Sequence, residues 1–300
     1  MTRGYATGSE RRNSGEHGVR SNAPAAGSGT NPAMYQVALS AVPYSVAMPP
    51  ADQLVPHGES PEGLPEVLGD TAFQSETLES LASAVNYNSW LTALALPYLG
   101  DAPLELGSGL GDYAQTWLDA GIPHIAASEI DPARLAQLRS RFSAEPRAEV
   151  LSFDVLSPKP ADYSALVAFN VLEHIPDDVG ALRAALTLCR PGAAVVMFVP
   201  AFDWAMSRFD RQVGHVRRYT VGSMRAAMTE AGLTGIETRY VNMLGLPAWY
   251  LGMKLARMSP GEGPLLRFWD KAVIPVARRW ETKHRVPFGQ SVFAIGRVPE

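Results

Sequence analysis

Two segments of the chain place a histidine among residues that could bind a charged substrate. His215 stands in Gly-His-Val-Arg-Arg-Tyr-Thr at 214–220, and His174 stands in Asn-Val-Leu-Glu-His-Ile at 170–175. Imidazole changes its charge near neutral pH, so we predict both histidines as catalytic bases. Paired arginines bind anionic groups well, and the predicted substrate contacts are Arg217, Arg218 and Tyr219.

Each histidine also has a structural interpretation. His174 could be a loop histidine whose hydrogen bonds only hold its own segment in place. The residues around His215 could form an internal salt-bridge network that anchors the following helix, which is predicted to begin near Thr220. The sequence leaves the catalytic and the structural interpretations open.

A glycine-rich loop follows a short apolar segment earlier in the chain. Residues 103–111 read Pro-Leu-Glu-Leu-Gly-Ser-Gly-Leu-Gly, which predicts a strand that turns into a helix. Glycine is needed where a ligand approaches the backbone, because a β-carbon would occupy that space. The N–H groups at a helix N-terminus favour anionic or acceptor groups. The loop therefore predicts a nucleotide-like ligand of either the dinucleotide or another adenosine-containing kind.

An acidic residue lies about twenty residues beyond the glycines, where such folds bind a ribose. Glu129 ends the next predicted strand and can accept hydrogen bonds from both ribose hydroxyls. The alternative is a charge at the N-terminus of the following helix. Asp131 suits that role better, because it immediately precedes Pro132. We therefore assign Glu129 to the ribose and Asp131 to helix capping.

Short apolar runs alternate with helical periodicity through the middle of the chain. This pattern predicts an α/β fold in which helices cover both faces of a parallel sheet. The predicted strands are residues 103–107, 123–129, 148–153, 163–169, 193–199, 234–241 and 291–298. The predicted helices are residues 111–120, 131–142, 178–189 and 221–231, with a largely helical insertion at 242–290.

The chain before this pattern has a different composition. Residues 1–32 are rich in Gly, Ser, Asn and Arg, and prolines interrupt residues 33–70. Such segments bury too little apolar surface to offset chain entropy. We therefore predict a flexible or loosely docked arm over 1–74 and one domain over 75–300.

The domain opens with an amphipathic segment that contains Leu78 and Trp90. Its apolar spacing slips at residues 86–89, so the pattern fits either one helix or two short ones. Tyr87 lies in this slip. It either lines a ligand pocket, as a substrate contact, or packs in the core with Trp90.

The predicted insertion is both basic and apolar. Residues 242–286 carry eight Lys and Arg against three Asp and Glu, with large apolar residues between them. Such a surface could bind an anionic or amphiphilic substrate, or lie on a membrane surface. The interpretation we favour is a lid over the substrate or a contact in a homodimer.

Composition argues against several classes of function. The formal net charge of −4 shows no basic surplus of the kind that nucleic-acid binders carry. The single cysteine, Cys189, excludes an internal disulfide, and no residues show the usual spacing of metal ligands, so we predict no metal site. The sequence has no signal-peptide pattern and no apolar run of about 18 residues, which predicts a cytoplasmic protein without a transmembrane segment.

Several motifs occur together in a fixed order. After the glycine loop and Glu129 come Asp154 at the end of the third strand, Leu-Glu-His-Ile at 172–175 and Cys-Arg-Pro-Gly at 189–192, a turn into strand five. This set resembles the class I S-adenosylmethionine (SAM) dependent methyltransferases, in particular members that act on small molecules. The resemblance covers about residues 76–300. It implies a Rossmann-like seven-stranded sheet with a terminal antiparallel strand and helices on both faces. The segment at 214–220 is similar to one branch of bacterial members, in which it lies over the active-site mouth.

The resemblance also implies how SAM is held. Glu105 and Gly107 would face its methionine part, and Gly109 would let the backbone approach closely. Asp154 would accept from the adenine amino group, and Asn170 would lie near the methionine end. The full set of implied cofactor residues is Glu105, Gly107, Ser108, Gly109, Glu129, Ile130, Asp154, Val155 and Asn170.

We therefore expect a SAM-dependent methyltransferase acting on a small-molecule acceptor, a natural-product or cell-envelope metabolite, most readily at oxygen. Nucleic-acid amino methylation is disfavoured, because the residues from Asn170 do not form the Asn/Asp-Pro-Pro-Tyr/Phe tetrad. An NAD(P)-dependent dehydrogenase would need a glycine where Asp112 stands. The remaining alternative is a SAM-binding protein with a regulatory or assembly role and no turnover.

Overall fold

The computed structural model describes residues 67–255 and 263–300. Most of the predicted arm, residues 1–66, lies outside the described residues. The last part of the predicted arm belongs to the folded body. The first helix begins at Thr71, and Asp70 caps it by accepting a hydrogen bond from the Phe73 N–H at 3.0 Å. Helical structure thus begins at Thr71, slightly before the domain boundary predicted at residue 75.

Seven strands form one sheet. The strands are β1 Leu104–Leu106, β2 Ile125–Ser128, β3 Ala148–Leu151, β4 Tyr163–Phe169, β5 Cys189–Pro200, β6 Thr234–Val241 and β7 Ser291–Arg297. Their order across the sheet is β3-β2-β1-β4-β5-β7-β6. All neighbouring strands are parallel except β7, which runs antiparallel to both β5 and β6. This topology confirms the predicted Rossmann-like fold with a terminal antiparallel strand.

The central strands are apolar on both faces because each face packs against a hydrophobic core. Strand β4 is buried along its whole length. Leu166 packs with Leu104 in one core, whereas its neighbour Val167 packs with Ile125 in the other. Strands buried in this way give continuous apolar runs rather than an alternation of apolar and polar residues. This is why the strands were visible in the sequence as short apolar blocks.

Eight helices flank the sheet within residues 67–233. They are α1 Thr71–Ala82, α2 Val85–Ala95, α3 Asp112–Asp119, α4 Pro132–Phe142, α5 Asp178–Arg183, α6 Ala185–Leu188, α7 Arg208–Gln212 and α8 Val221–Glu230. The amphipathic segment at the start of the domain is therefore two helices, not one. Asp131 caps α4 by accepting a hydrogen bond from the Arg134 N–H at 2.9 Å, as predicted.

The region around residue 190 differs from the prediction. The helix expected over 178–189 is broken into two short helices, and β5 begins at Cys189 rather than at residue 193. Cys189 already pairs with Tyr163 on β4, and regular pairing resumes at Ala194. The intervening residues bulge out of the strand through Gly192, whose φ is 74°. The predicted turn is thus an irregularity inside a longer strand.

The insertion before the last strand is helical, as predicted. It comprises α9 Gly245–Trp249, a π-helical turn Tyr250–Leu255, α10 Pro264–Phe268, a second π-helical turn Trp269–Val273 and α11 Ile274–Glu281. The carboxylate of Asp270 accepts hydrogen bonds from the N–H groups of Asn86 and Tyr87 at 3.1 and 2.9 Å. The insertion is therefore tied to the start of α2. Within 67–255 and 263–300, no helix has the length and apolar character that crossing a bilayer requires.

The order of the strands reverses at β1, since β2 lies on one side of it and β4 on the other. In open α/β sheets the crevice outside the carboxyl ends at such a point binds ligands. The glycine loop follows β1, and Asn170 follows β4. Asn170 adopts a φ of 54°, a backbone conformation that asparagine tolerates better than most residues. Residues with an unusual backbone conformation are common at functional sites, which makes this crevice the candidate site.

Candidate active site

The glycine loop is shaped by close packing with the rest of the chain. Gly107, Gly109 and Gly111 have φ values of 66°, 57° and 84°. A β-carbon on Gly107 would lie 2.6 Å from Val171 Cγ2, and one on Gly109 would lie 3.1 Å from Leu78 Cδ1. The glycines therefore admit side chains from the β4 edge and from α1. This packing is a reason for glycine that sequence reasoning, which considered only the ligand, had missed.

Glu105 lies at the base of this loop and is almost fully buried, with 2% of its surface exposed. Its Oε2 atom has no hydrogen-bond partner among the described residues. Burial raises the pKa of the carboxyl to about 8, although a hydrogen bond from Ser108 acts in the opposite direction. An unpartnered buried carboxylate oxygen favours a cationic donor. The ammonium group of a bound methionine moiety fits this requirement.

Glu129 is also buried, but its carboxylate is engaged. Oε2 accepts a hydrogen bond from the Gly109 N–H at 3.0 Å and lies 3.3 Å from Arg134 Nε. Oε1 accepts from the N–H groups of Ile130 and Asp131 at 2.8 and 2.9 Å. The residue predicted to hold a ribose therefore also fixes the glycine loop. The loop and the acid are brought together, as the sequence analysis expected.

The remaining predicted cofactor residues lie on the same edge of the sheet. Asp154 follows β3 and accepts a hydrogen bond from the Leu156 N–H at 2.8 Å, which stabilises a turn. Val155 beside it is buried. Ser108 donates its N–H to the Ser128 carbonyl at 2.7 Å, so the loop is joined to β2. The Asn170 N–H donates to the Phe198 carbonyl at 2.8 Å, and its side chain is exposed.

The two predicted histidines meet in one cluster. The rings of His174 and His215 lie 4.7 Å apart and nearly perpendicular, at 82°. Nδ1 of His215 is 2.8 Å from Oδ1 of Asp210, and its Nε2 is 3.7 Å from Oε1 of Glu173. Sequence reasoning found both histidines but missed Asp210, which stands shortly before His215 in the same segment.

Glu173 is the least accessible member of this cluster, with none of its surface exposed. Neither carboxylate oxygen has a hydrogen-bond partner in another described residue. Burial raises its pKa to about 7, against the lowering effect of His215. Burial likewise lowers the pKa of His174 to about 3. His174 is therefore a neutral imidazole at neutral pH.

Asp210 is the charged centre that holds the His215 segment together. Burial alone would raise its pKa, but the hydrogen bond with His215 and the charge of Arg218 lower it well below its ordinary value. Ser207 donates both its N–H and its hydroxyl to Oδ2 of Asp210, each at 2.7 Å. The guanidinium of Arg218 binds Oδ1 at 2.7 and 2.9 Å.

The three residues Arg217, Arg218 and Tyr219, predicted to contact substrate, each bind other groups of the protein. Arg218 is buried, also donates to the Ala201 carbonyl at 3.0 Å, and has its guanidinium 4.8 Å from the Trp249 ring centre. The buried Tyr219 donates its hydroxyl to Asp178 at 2.8 Å. Arg217 also pairs with Asp178. The geometry favours the alternative of an internal network, because Arg218 and Tyr219 are buried and Arg217, although partly exposed, is bound to Asp178.

Tyr87 was predicted either to line a ligand pocket or to pack in the core, and its surroundings have features of both. It packs against the core that contains Trp90, and its pKa is raised by burial, partly offset by a hydrogen bond with Ser291. It also lies close enough to Tyr113 to influence the ionisation of that residue, as does Glu105. Tyr87 is therefore near the base of the glycine loop, but packed rather than open.

A short segment that includes the start of α1 contacts both sides of the crevice. Gln74 donates its amide to the carbonyls of Leu68 and Val213 at 2.8 and 2.7 Å, and it accepts from Arg134 at 3.1 Å. Gly69 fits tightly against the backbone of residues 212–214. We call residues 67–77 the strap. It joins the Glu129 side of the site to the His215 side.

Fold and site together are those of an α/β protein with a candidate nucleotide-binding crevice at the switch point of its sheet. The chain belongs to the methyltransferase domain family, whose family model matches residues 73–238. It is a class I SAM-dependent methyltransferase, as the motif order had indicated. The dehydrogenase alternative is thereby set aside. Family membership implies SAM as the cofactor.

Sequence relatives include an uncharacterised methyltransferase of Mycobacterium tuberculosis. It is 26% identical over 196 residues, which span 65% of this chain and 71% of that protein. A ubiquinone biosynthesis O-methyltransferase of Xylella fastidiosa is 28% identical over 119 residues, 38% of this chain and 47% of that protein. These relatives agree with the family without naming a substrate for this chain.

Solved structures share the fold. One is a chain from the complex between the Haloferax volcanii Trm112 methyltransferase activator and a methyltransferase, with a TM-score of 0.52 and 14% identity over 78% of this chain and all of that one. Another is phosphoethanolamine N-methyltransferase 2 of Haemonchus contortus in complex with SAM, with a TM-score of 0.50 and 13% identity over 71% of this chain and 53% of that one.

Proposed function

We propose that this methyltransferase transfers a methyl group from SAM to an oxygen of a small, amphiphilic acceptor. The observation that carries the proposal is the pairing of two sites at one sheet edge. The glycine loop with the unpartnered carboxylate of Glu105 forms the donor side. The cluster of His174, His215 and the buried Glu173 forms the acceptor side. Val171, which packs against Gly107, joins them.

The donor side would use the residues implied by the family. Glu105 would accept from the ammonium group of the methionine moiety, and Glu129 would bind the ribose hydroxyls. Asp154 and Val155 would border the adenine, with Ile130 beside the ribose. SAM supplies, when bound, a methyl group that is already activated by its sulfonium. The protein therefore has mainly to orient the two reactants, which can lower a barrier by about 7–11 kcal/mol in well-aligned cases.

The acceptor side would handle the proton of the reacting hydroxyl. A hydroxyl that attacks a methyl group must lose its proton, and a polar group held at the oxygen assists that loss. His174 and His215 are our candidates for catalytic residues here. Asp210 acts as a positioning residue, because its hydrogen bond fixes the His215 ring. Arg217, Arg218 and Tyr219 are proposed to hold this segment rather than to touch substrate.

The acceptor class is inferred from the insertion. Leu251, Leu265, Phe268 and Trp280 all expose more than half of their surface, at 60, 65, 62 and 55%. They lie in a segment with a surplus of basic residues. Such a surface suits a lid for an amphiphilic molecule, in keeping with the relative named for ubiquinone biosynthesis.

The homodimer contact, the absence of nucleic-acid partners and the cytoplasmic location stay predictions.

The proposal is tested by binding and turnover together. Isothermal titration of the full chain with SAM, its demethylated product and NAD should give binding of the first two and none of NAD. Methyl-labelled SAM should then label phenolic or quinol acceptors that carry an apolar tail. Binding of NAD alone would overturn the donor assignment. Tight SAM binding without transfer to any hydroxyl, amine or carbon acceptor would instead support the regulatory alternative.

A further inference from the structure

The cluster of Glu173, His174 and His215 has the composition of a metal site. Each residue offers one ligand atom, and the three atoms all lie within 4.8 Å of one another. The set consists of two imidazole nitrogens and one carboxylate oxygen. We predicted no metal site from the sequence, because these residues lack the usual spacing of metal ligands. Glu173 and His174 are adjacent, whereas His215 lies far from them along the chain. Only the fold brings these ligands together.

We propose that this cluster binds one divalent cation of the kind that prefers imidazole, such as Zn²⁺, Co²⁺ or Fe²⁺. Cations that demand oxygen ligands, such as Mg²⁺ and Ca²⁺, suit the two imidazoles less well. Three protein ligands leave at least one coordination position open, as in catalytic rather than structural metal sites.

The buried carboxylate of Glu173 is the first independent observation behind this proposal. It is wholly inaccessible and has no hydrogen-bond partner in another described residue. A buried carboxylate in that state is costly unless a cation or a donor compensates it. The nearest buried guanidinium, that of Arg218, is already bound to Asp210 and to the Ala201 carbonyl. A cation among Glu173 and the two imidazoles would supply the missing partner.

The groups behind the histidines are the second observation. Ligating histidines almost always donate their other ring N–H to a carboxylate or a carbonyl, which fixes the nitrogen that faces the metal. Nδ1 of His215 lies 2.8 Å from Asp210, which directs Nε2 toward Glu173. The backbone of Gly214 lies next to the His174 ring and raises the pKa of this imidazole, against the effect of burial. His215 therefore has the supporting carboxylate that metal-ligating histidines require.

The charges around the cluster leave room for a cation. Asp210 and Glu173 contribute two carboxylates, and Arg218 and Arg134 are the guanidinium groups whose fields reach the cluster. Arg218 is bound to Asp210, and Arg134 lies beside Glu129, at 3.3 Å. Each arginine is thus matched by its own carboxylate. Glu173 has no guanidinium of its own and faces Nε2 of His215 at 3.7 Å.

The catalytic meaning of this site rests on the proposed function, whereas its occupancy does not. A cation with an open position could bind the acceptor oxygen and lower the pKa of its hydroxyl group. His174 and His215 would then act as ligands that hold the acceptor oxygen, instead of removing its proton themselves. The released proton would pass to solvent.

The test is direct metal binding by the untagged full chain. After treatment with a chelator, calorimetric titration with ZnCl₂ and CoCl₂ should show one tight site per chain, and MgCl₂ should show none. Co²⁺ should add visible absorption bands. Glu173→Gln and His215→Gln should weaken Co²⁺ binding at least a hundredfold, and Asp210→Asn should weaken it about 10–100-fold. His124→Gln, an exposed histidine outside the cluster, is the matched control.

Each outcome decides the proposal. Binding of Zn²⁺ and Co²⁺ at one site that depends on Glu173 and His215 supports it. A wild-type chain without a stoichiometric site overturns it, as does a site that survives both substitutions or is lost equally in His124→Gln. SAM binding and circular dichroism of each variant show that it is folded. If Asp210→Asn misfolds, the Glu173→Gln result decides alone. A cation that binds without any methyl transfer would leave the metal site standing and remove the proposed function.

Discussion

At the scale of single residues, the site is made of carboxylates that the fold keeps away from water. Glu105, Glu129, Glu173 and Asp210 are all buried, yet their surroundings differ. Glu129 and Asp210 are matched by arginines and by backbone or hydroxyl donors. Glu105 and Glu173 each keep oxygens without a partner among the described residues. These unpartnered oxygens are the atoms at which we propose that SAM and a cation bind.

Glu105 makes the apo protein sensitive to pH. Its pKa is raised from an ordinary 4.5 to about 8, so the native state holds a proton that the unfolded chain has lost between these values. Its contribution to stability is therefore complete below about pH 4.5 and is lost as the pH rises through 8. Glu105→Gln should leave stability unchanged at pH 4 and raise it relative to wild type by up to about 1.4 kcal/mol per pH unit in that window.

Urea unfolding of both chains between pH 4 and pH 9 measures this difference. The affinity for SAM gives a second readout, since a cationic ammonium group favours the charged carboxylate. We expect SAM affinity to rise with pH toward 8 in wild type and to be flat in Glu105→Gln. Parallel stability curves for the two chains would contradict the assignment. Glu230→Gln, at an exposed position, is the control.

At the scale of elements, the strap connects the Glu129 side of the site to the His215 side. Gly69 has a φ of 87°, and a β-carbon there would lie 2.5 Å from the backbone of Val213 and Gly214. Gly69→Ala therefore introduces both a clash and an unfavourable backbone conformation, which costs about 1–3 kcal/mol at such positions. We expect the strap to detach while the sheet stays folded.

Limited proteolysis and SAM titration test this expectation. Gly69→Ala should be cleaved near residue 70 several times faster than wild type and should bind SAM more weakly. Gly263→Ala serves as the control, because a β-carbon at Gly263 meets nothing within 4 Å. Equal protection of the strap in both variants would show that it is not held by this contact.

The elements themselves were largely predictable, and the reason is their burial. Strands that pack on both faces, such as β4, appear in the sequence as uninterrupted apolar runs. The break between α5 and α6 and the early start of β5 were missed. The early start of β5 follows from the pairing of Cys189 with Tyr163 across the sheet, and local periodicity does not record that pairing.

The positions of the predicted donor residues were easier to read from the sequence than those of the predicted acceptor residues. Glu105, Glu129 and Asp154 belong to or follow three parallel strands, which brings them to one side of the sheet. Their roles were implied by the family resemblance and stay predictions. In the acceptor half, a pair of arginines beside a histidine suggested substrate contacts, but Arg218 is turned inward to Asp210. An acid five residues before His215 was the signal available in the sequence for that partner.

At the scale of the whole molecule, the insertion binds the start of α2, although the two segments are far apart in the sequence. Asp270 accepts hydrogen bonds from Asn86 and Tyr87 across more than 180 residues, and it is buried. It thus acts as an N-terminal cap for α2, although it belongs to another part of the chain. A lost cap costs about 0.5–2 kcal/mol.

Asp270→Ala should lower the free energy of unfolding by about 1–2 kcal/mol, measured by urea denaturation. Because Tyr87 leads from this cap toward the glycine loop, SAM affinity should fall as well. Asp162→Ala removes an exposed carboxylate just before β4, outside both the insertion and α2, and should change neither quantity. An unchanged midpoint for Asp270→Ala would mean that the insertion does not support α2.

The carboxylate of Glu129 gives the crevice a further property. Its oxygens are already occupied by the Gly109 N–H and by Arg134, which in turn holds Gln74 of the strap. On the proposed role of Glu129, a ribose would enter by displacing partners that belong to the protein. Cofactor entry is then an exchange of one set of hydrogen bonds for another. The rate of SAM binding would then be limited by how often Glu129 releases the Gly109 N–H and Arg134. At high SAM concentration this rate would no longer depend on the concentration of SAM.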